Sequence, residues 1–188
     1  MERDRPAAGL PPPPLDKHGK ERLQMKPVAY AQAIKRKYPE PVCLVVTADA
    51  GGKPNIIPVG WAVQTSVHPP MLAISVAKQS YSHELIEAGR QFVLCFPGED
   101  LVDQALFCGA HSGRDTDKFG ATRLTPLPAE RVKPPLIAEC LAAFECSLVG
   151  EVSTGDHTLF VGEVLKSHVS DKTQRRLFSL GNGMLGGV

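Results

Sequence analysis

Two runs near the C-terminal end, AECLAAFECSLVGEV (residues 138–152) and HTLFVGEVLKSHV (157–169), constrain the fold more than any other feature. Both alternate apolar and smaller or polar side chains with a period of two, the signature of a strand with two different faces. In the first run this alternation puts Cys140, Ala142, Phe144, Cys146 and Leu148 on one side. Only Ser153 and a Thr154-Gly155-Asp156 turn separate the two, so they pair antiparallel as a long hairpin.

Upstream the same period recurs. PVCLVVT (41–47) is a β-branched run followed by the turn chemistry of ADAGGKP. NIIPVGWAVQTSV (55–67) reads as one strand, in which Asn55, Trp61 and Thr65 project the same way unless Pro58 and Gly60 reset the parity. A His-Pro-Pro turn leads to MLAISVA (71–77), and QFVLCF (91–96) sets Phe92, Leu94 and Phe96 on one side. Between these lie a short serine-capped helix, SYSHELIEAG, ending at Gly89, and a second, GEDLVDQALF, with Leu101, Val102, Ala105 and Leu106 as its apolar stripe. Six strands not separated by regular helices argue against a doubly wound sheet and for a closed antiparallel barrel, which leaves no edge strand exposed.

The remaining composition excludes more than it assigns. Lys and Arg (21) nearly cancel Asp and Glu (20), so no excess charge recruits nucleic acid or an anionic membrane. No apolar stretch approaches the ~20 residues that span a bilayer. The charged, Pro-rich segment 1–26 has no apolar core and is expected to be a solvated arm ahead of a domain over 27–188. Five dispersed cysteines without a CxxC pair suit buried, reduced thiols in the cytoplasm and no zinc site.

Several motifs fail on context. GNGMLG (181–186) matches the dinucleotide fingerprint, but no helix follows it and no βαβ unit surrounds it. His111, Ser112 and Asp115 crowd into one loop, which is not the geometry of a hydrolase triad. KQSYSHEL is more informative: Lys78, Ser80 and Ser82 lie where a strand hands over to a helix N-terminus, where free amides, hydroxyls and an ammonium suit a phosphate, or where a serine simply caps the helix. A phosphate cradle, the aromatic platform of Trp61, strand-borne polar groups and two cationic side chains together match the needs of a flavin mononucleotide. On an ideal strand Asn55 and Trp61 are roughly 20 Å apart, so one ligand reaches both only if it is elongated or the strand bends.

From Pro41 to Val169 the sequence resembles the flavin reductase-like proteins with an FMN-binding split barrel, most closely the flavoredoxins. The residues that carry the resemblance are N-I-I-P-x-G-W (55–61), S-x-H-P-P (66–70), Y-S-x-E-L-I (81–86), D-K-F around Lys118, and D-H-T-L-F-V-G-E-V (156–164). It implies a mainly β fold: a six-stranded antiparallel split β-barrel of Greek-key type with a few flanking short helices. It also implies non-covalent FMN at a homodimer interface. Asn55, Trp61, Ser82, Lys118 and His157 would surround the flavin, Lys78 and Ser80 its phosphate, and the backbone of Ala62, Val63, Gln64 and Thr65 its ring edge. NAD(P)H would act as a transient co-substrate stacked on the ring, which needs no Rossmann domain. Relatives often place an aromatic residue in the C-terminal Gly-rich tail, where this chain has Met184 and Leu185. The expected activity is flavin reductase- or flavoredoxin-like, with a non-enzymatic FMN electron carrier as the alternative and a barrel holding haem or another planar ligand as a third.

Overall fold

In a computed structural model, residues 17–19 and 25–188 are described. The chain divides after Arg36. The arm expected over 1–26 lies mostly outside the described residues. Residues 30–33 form a single helical turn that runs on into a 3-10 turn.

The unit from Lys37 to Val188 is built on seven antiparallel strands: β1 (Cys43–Ala48), β2 (Pro54–Val59), β3 (Ala62–Ser66), β4 (Met71–Ala77), β5 (Gln91–Phe96), β6 (Ala142–Thr154) and β7 (His157–Val169). Their order across the sheet is β2-β1-β5-β6-β7-β4-β3. The count corrects the expected six. The run 55–67 is not one strand: it breaks at Gly60-Trp61 into β2 and β3, which lie at opposite edges of the sheet.

That break shows how the sheet is shaped. Seven strands laid flat would hold the outer two roughly 29 Å apart. Val59 and Ala62 are three residues apart in the chain, so they are within about 11 Å of each other. The sheet must therefore curl until its edges meet at Gly60-Trp61, which makes it a barrel.

Both faces of the central strands are buried. Cys43, Val45, Ile74, Phe92, Cys146 and Phe160 fill the barrel interior. The alternate positions Leu44, Val46, Val93 and Cys95 join a second core with Ala105, Cys108 and Phe119. Burial on both sides is why PVCLVVT and QFVLCF read as continuous apolar runs. The interior is tight at Gly162, where a Cβ would fall 2.6 Å from Phe92 Cζ and 2.8 Å from Cys146 Cβ.

Helix α1 (Tyr81–Gly89) closes one end of the barrel, with Ile86 in the interior core and the His83 ring 5.0 Å from that of Phe160. It ends at Gly89 as expected, and the left-handed cap position that follows is taken by Arg90 at φ 53°. Helix α2 (Val102–Ala110) buries Ala105 and Cys108, continuing from Leu101 in the preceding turn. Leu106, expected in that stripe, is exposed. Helix α3 (Lys118–Thr122) is capped by Asp117, which accepts from the Gly120 amide at 3.1 Å. All five cysteines are unpaired and buried. Cys140, however, joins the outer core, whereas Phe144, Cys146 and Leu148 face the interior.

The terminal glycines make a hairpin between β8 (Leu177–Gly181) and β9 (Met184–Gly187), turning through Asn182 and Gly183 at φ 52° and 77°. Asn-Gly is the favoured pair for a turn with two positive φ angles. A turn, not a nucleotide loop, accounts for GNGMLG.

Candidate functional site

Asn55, Ser80, Ser82 and Lys118 come from three separate segments and line one cavity of about 250 Å³. Asn55 lies on β2, Ser80 and Ser82 at the start of α1, and Lys118 at the start of α3. Ser80 caps α1, accepting from the His83 amide at 3.3 Å, so its hydroxyl does the ordinary work of a cap. Asn55 is 2% exposed, and its Nδ2 donates to Ser82 Oγ at 2.7 Å and Thr47 Oγ1 at 3.3 Å. Its Oδ1 is buried with no partner. A buried acceptor left unpaired costs about 1–3 kcal/mol, so this oxygen fits a donor brought by a ligand.

Lys118 carries the charge of the cavity. It is 3% exposed, and its ammonium donates to the carbonyls of Ile56 at 2.6 Å and Cys108 at 2.8 Å. An ammonium has three donors, and no carboxylate pairs with it among the described residues. Burial lowers its pKa from 10.5, an effect partly offset by the Cys108 thiol. Burial in turn pushes the Cys108 thiol up to about 11, against the pull of Lys118, so that sulfur stays protonated at neutral pH.

The loop from His111 to Arg114, dismissed as a triad, closes the same cavity. Gly113 packs directly on Asn55, and Arg114 pairs with Glu84 while its guanidinium lies 4.6 Å over the Tyr81 ring. The sequence signal for this role was present in the position of the loop, immediately before the Asp-Lys-Phe segment that carries Lys118.

Trp61 and His157 form a second group. Trp61 sits in the β2–β3 connection, 50% exposed, with its ring 4.9 Å from that of His157 and the Lys37 ammonium 5.3 Å from its centre. His157 donates to the exposed Asp156, holding that carboxyl below its usual range. Lys78, expected near a phosphate, reaches the other way and donates to the Gly155 carbonyl at 2.6 Å in the β6–β7 turn. Along β3, Ala62 packs towards the barrel interior while Val63, Gln64 and Thr65 are exposed, with a bulge between Gln64 and Ser66. The expected residues thus fall into a polar cavity and an aromatic-cationic surface. The segment 77–82 links the two, running from the end of β4, where Ala77 pairs with His157, to Ser80 and Ser82.

An antiparallel barrel with one helix-stoppered end and a polar cavity at the entrance to that helix defines a class. The family described as "Flavin reductase like domain" matches residues 35–183, and the chain belongs to that family. Its fold is similar to the flavoredoxin of Desulfovibrio vulgaris (Miyazaki F), with a TM-score of 0.73 and 28% identity over 90% of this chain and 93% of that one. An FMN-binding protein from Thermus thermophilus gives a TM-score of 0.74 and 25% identity, covering 89% and 94%. An uncharacterized protein of Archaeoglobus fulgidus is 40% identical over 113 residues, which is 60% of this chain. This chain spans 64% of that relative's length.

Proposed function

We propose that the chain is a flavin-binding oxidoreductase that holds FMN non-covalently, with the phosphate in the Asn55–Lys118 cavity and the ring against Trp61. The observation that carries this reading is the Lys118 ammonium, buried without a carboxylate partner among the described residues, in the cavity that Asn55, with its unpaired Oδ1, also lines. A dianionic phosphate group restores the charge balance that burial denies Lys118. The N-terminus of α1 adds the positive end of its dipole. Asn55 Oδ1 accepts from a ligand hydroxyl or amide, and Trp61 supplies an apolar wall. When bound, FMN supplies reversible two-electron chemistry, and the protein supplies orientation and electrostatics.

The half-exposed Trp61 and the exposed Val63 and Val67 lie in or next to the edge strand β3. A second copy of the chain covering this edge would bury all three and complete the ring site, so we place the flavin at a homodimer interface. The unpaired buried cysteines suit a reducing cytoplasm. Electrons would arrive from NAD(P)H or a protein donor and leave to free flavin, ferric iron or a partner protein.

The absorbance spectrum of untreated purified protein tests the cofactor: flavin bands are expected, and a Soret band would instead favour haem. Stopped-flow mixing with NADH and NADPH tests the activity. Bleaching of the flavin with either is expected, and no bleaching with both would make the protein a carrier fed by another protein. Sedimentation of the holoprotein as a monomer would remove the interface site.

A further inference from the structure

The end of the barrel opposite α1 is open. It holds an apolar cavity of about 330 Å³ walled by Leu72, Leu94, Phe96, Phe144 and Val164, with Arg176 at its rim. Arg176 is held there by backbone pairing with Gly98, just past the end of β5. Its guanidinium lies 4.1 Å over the Phe96 ring. Its contacts are poor for an arginine: Nη2 reaches the Val42 carbonyl at 3.4 Å and Cys43 Sγ at 4.0 Å, while Nε is buried with no acceptor. The adjacent Arg175 pairs with Glu99 at 2.7 Å, but no carboxylate pairs with Arg176 among the described residues. A guanidinium with weak neutral acceptors, an unpaired Nε and no carboxylate partner, set at the rim of an aromatic and aliphatic chamber, is a half-built ion pair.

We propose that this chamber binds a small apolar monocarboxylate, its carboxylate at the Arg176 guanidinium and its body against Leu72, Leu94, Val164 and the paired rings of Phe96 and Phe144. Arginine takes a carboxylate through parallel N–H donors, and the partly exposed terminal nitrogens of Arg176 are the ones at the rim. The cavity has the size and lining of a compact small-molecule site, largely apolar with one convergent polar group. Ser167 at the rim offers a further hydroxyl. The chamber shares no lining residue with the Asn55–Lys118 cavity, but it shares Ala62, Val63 and Gln64 with the strand expected at the flavin ring edge, so flavin content is followed alongside binding.

The probe is 4-fluorobenzoate, followed by fluorine NMR on the holoprotein as purified, with neutral 4-fluorobenzamide as its comparator. Saturable binding of the acid is expected, at least tenfold weaker in Arg176→Gln and partly recovered in Arg176→Lys. The amide should bind weakly and equally to all three. Ser167→Trp, at the partly exposed rim, should exclude both probes and keeps the test valid if Arg176→Gln does not fold. Flavin absorbance is read in the same samples and should not change. Equal binding of the acid to wild type and Arg176→Gln, or no binding to wild type, overturns the proposal. So does loss of flavin from Arg176→Gln, because the chamber would then belong to the cofactor.

Discussion

Gly113 lies so close to Asn55 that a Cβ at that position would fall 2.1 Å from Asn55 Oδ1 and 2.6 Å from its Cγ. The loop after α2 therefore sets the position of the one buried polar side chain that β2 contributes to the cavity. Gly113→Ala must push the Asn55 amide aside and strain its hydrogen bond to Ser82. A lost hydrogen bond is worth about 0.5–1.5 kcal/mol, so FMN affinity is expected to fall up to roughly tenfold. Fluorescence titration of apoprotein measures it. Unchanged affinity would take Asn55 out of the site.

Lys118 plays two parts that one substitution separates by pH. Its ammonium ties α3 to the backbone at Ile56 and Cys108, so Lys118→Met leaves two carbonyls without a donor. The expected cost is about 1–3 kcal/mol, seen as a melting temperature several degrees lower. A clean binding variant with an untouched fold is not expected here. The folded pKa is lowered from 10.5, so the side chain loses its proton as pH rises through a value below 10.5. An anionic ligand favours the charged form. FMN affinity in wild type should therefore hold near neutrality and fall as pH climbs towards 10.5, a decline that Lys118→Met should abolish. A parallel decline in both proteins would assign the effect to another group.

The barrel was legible because its strands repeat with a period of two. Phe92, Leu94 and Phe96 share a side as the alternation requires, Phe92 and Leu94 in the interior core and Phe96 packed against it. The seventh strand was not legible. Residues 55–67 keep strand-like composition straight through Gly60 and Trp61, and only long-range pairing reveals that β2 joins β1 while β3 joins β4. Asn55, Ser80, Ser82 and Lys118 were brought together from sequence by resemblance, since spacing cannot show that residues 63 apart line one cavity. Lys78 illustrates the limit: its place beside a helix entrance suggested a phosphate ligand, but its long stem turns to the Gly155 carbonyl. Arg176 carries no signal in the sequence, because nothing in QRRL distinguishes an arginine with a partner from one without.

Trp61 is half exposed and its neighbours are side chains at the surface of the barrel. In apoprotein dilute enough to be monomeric, Trp61→Ala should leave thermal stability within about 0.5 kcal/mol of wild type, as expected for a surface substitution, while weakening FMN retention on gel filtration. A large loss of stability would mean that the indole is a packing element. Wild-type retention would move the ring site elsewhere.

Gly162 tests whether the barrel interior is as tight as it looks. The Phe92 ring occupies the space where an alanine methyl would go, and Cys146 closes it from the other side. Overpacking a core typically costs about 1–3 kcal/mol, and Gly162→Ala is expected to fall in that range by urea denaturation. Phe92→Leu in the same chain should recover part of the loss, since it frees volume at the point of contact. An additive double variant would show that the strain lies elsewhere.

Glu145 is a fully buried carboxylate that fastens the loop at 130–132 to the barrel. It accepts from the backbone amides of Glu130 at 3.1 Å, Arg131 at 2.6 Å and Val132 at 3.2 Å, and from His168 Nε2 at 2.7 Å. Burial alone would raise its pKa, but the Glu130 amide, His168 and the two further amides outweigh burial and hold it below 4.5. A carboxyl depressed in the folded state contributes stability that is fully present above the unfolded value of 4.5 and is lost as pH falls through the lower folded value. Glu145→Gln can satisfy only part of the same donors, so it should destabilise by roughly 2 kcal/mol near neutral pH. The gap between the two proteins in urea denaturation should then narrow as the pH is taken well below the carboxylate range. A gap that stays constant throughout acid titration would mean that the charge of Glu145 contributes nothing to holding the loop.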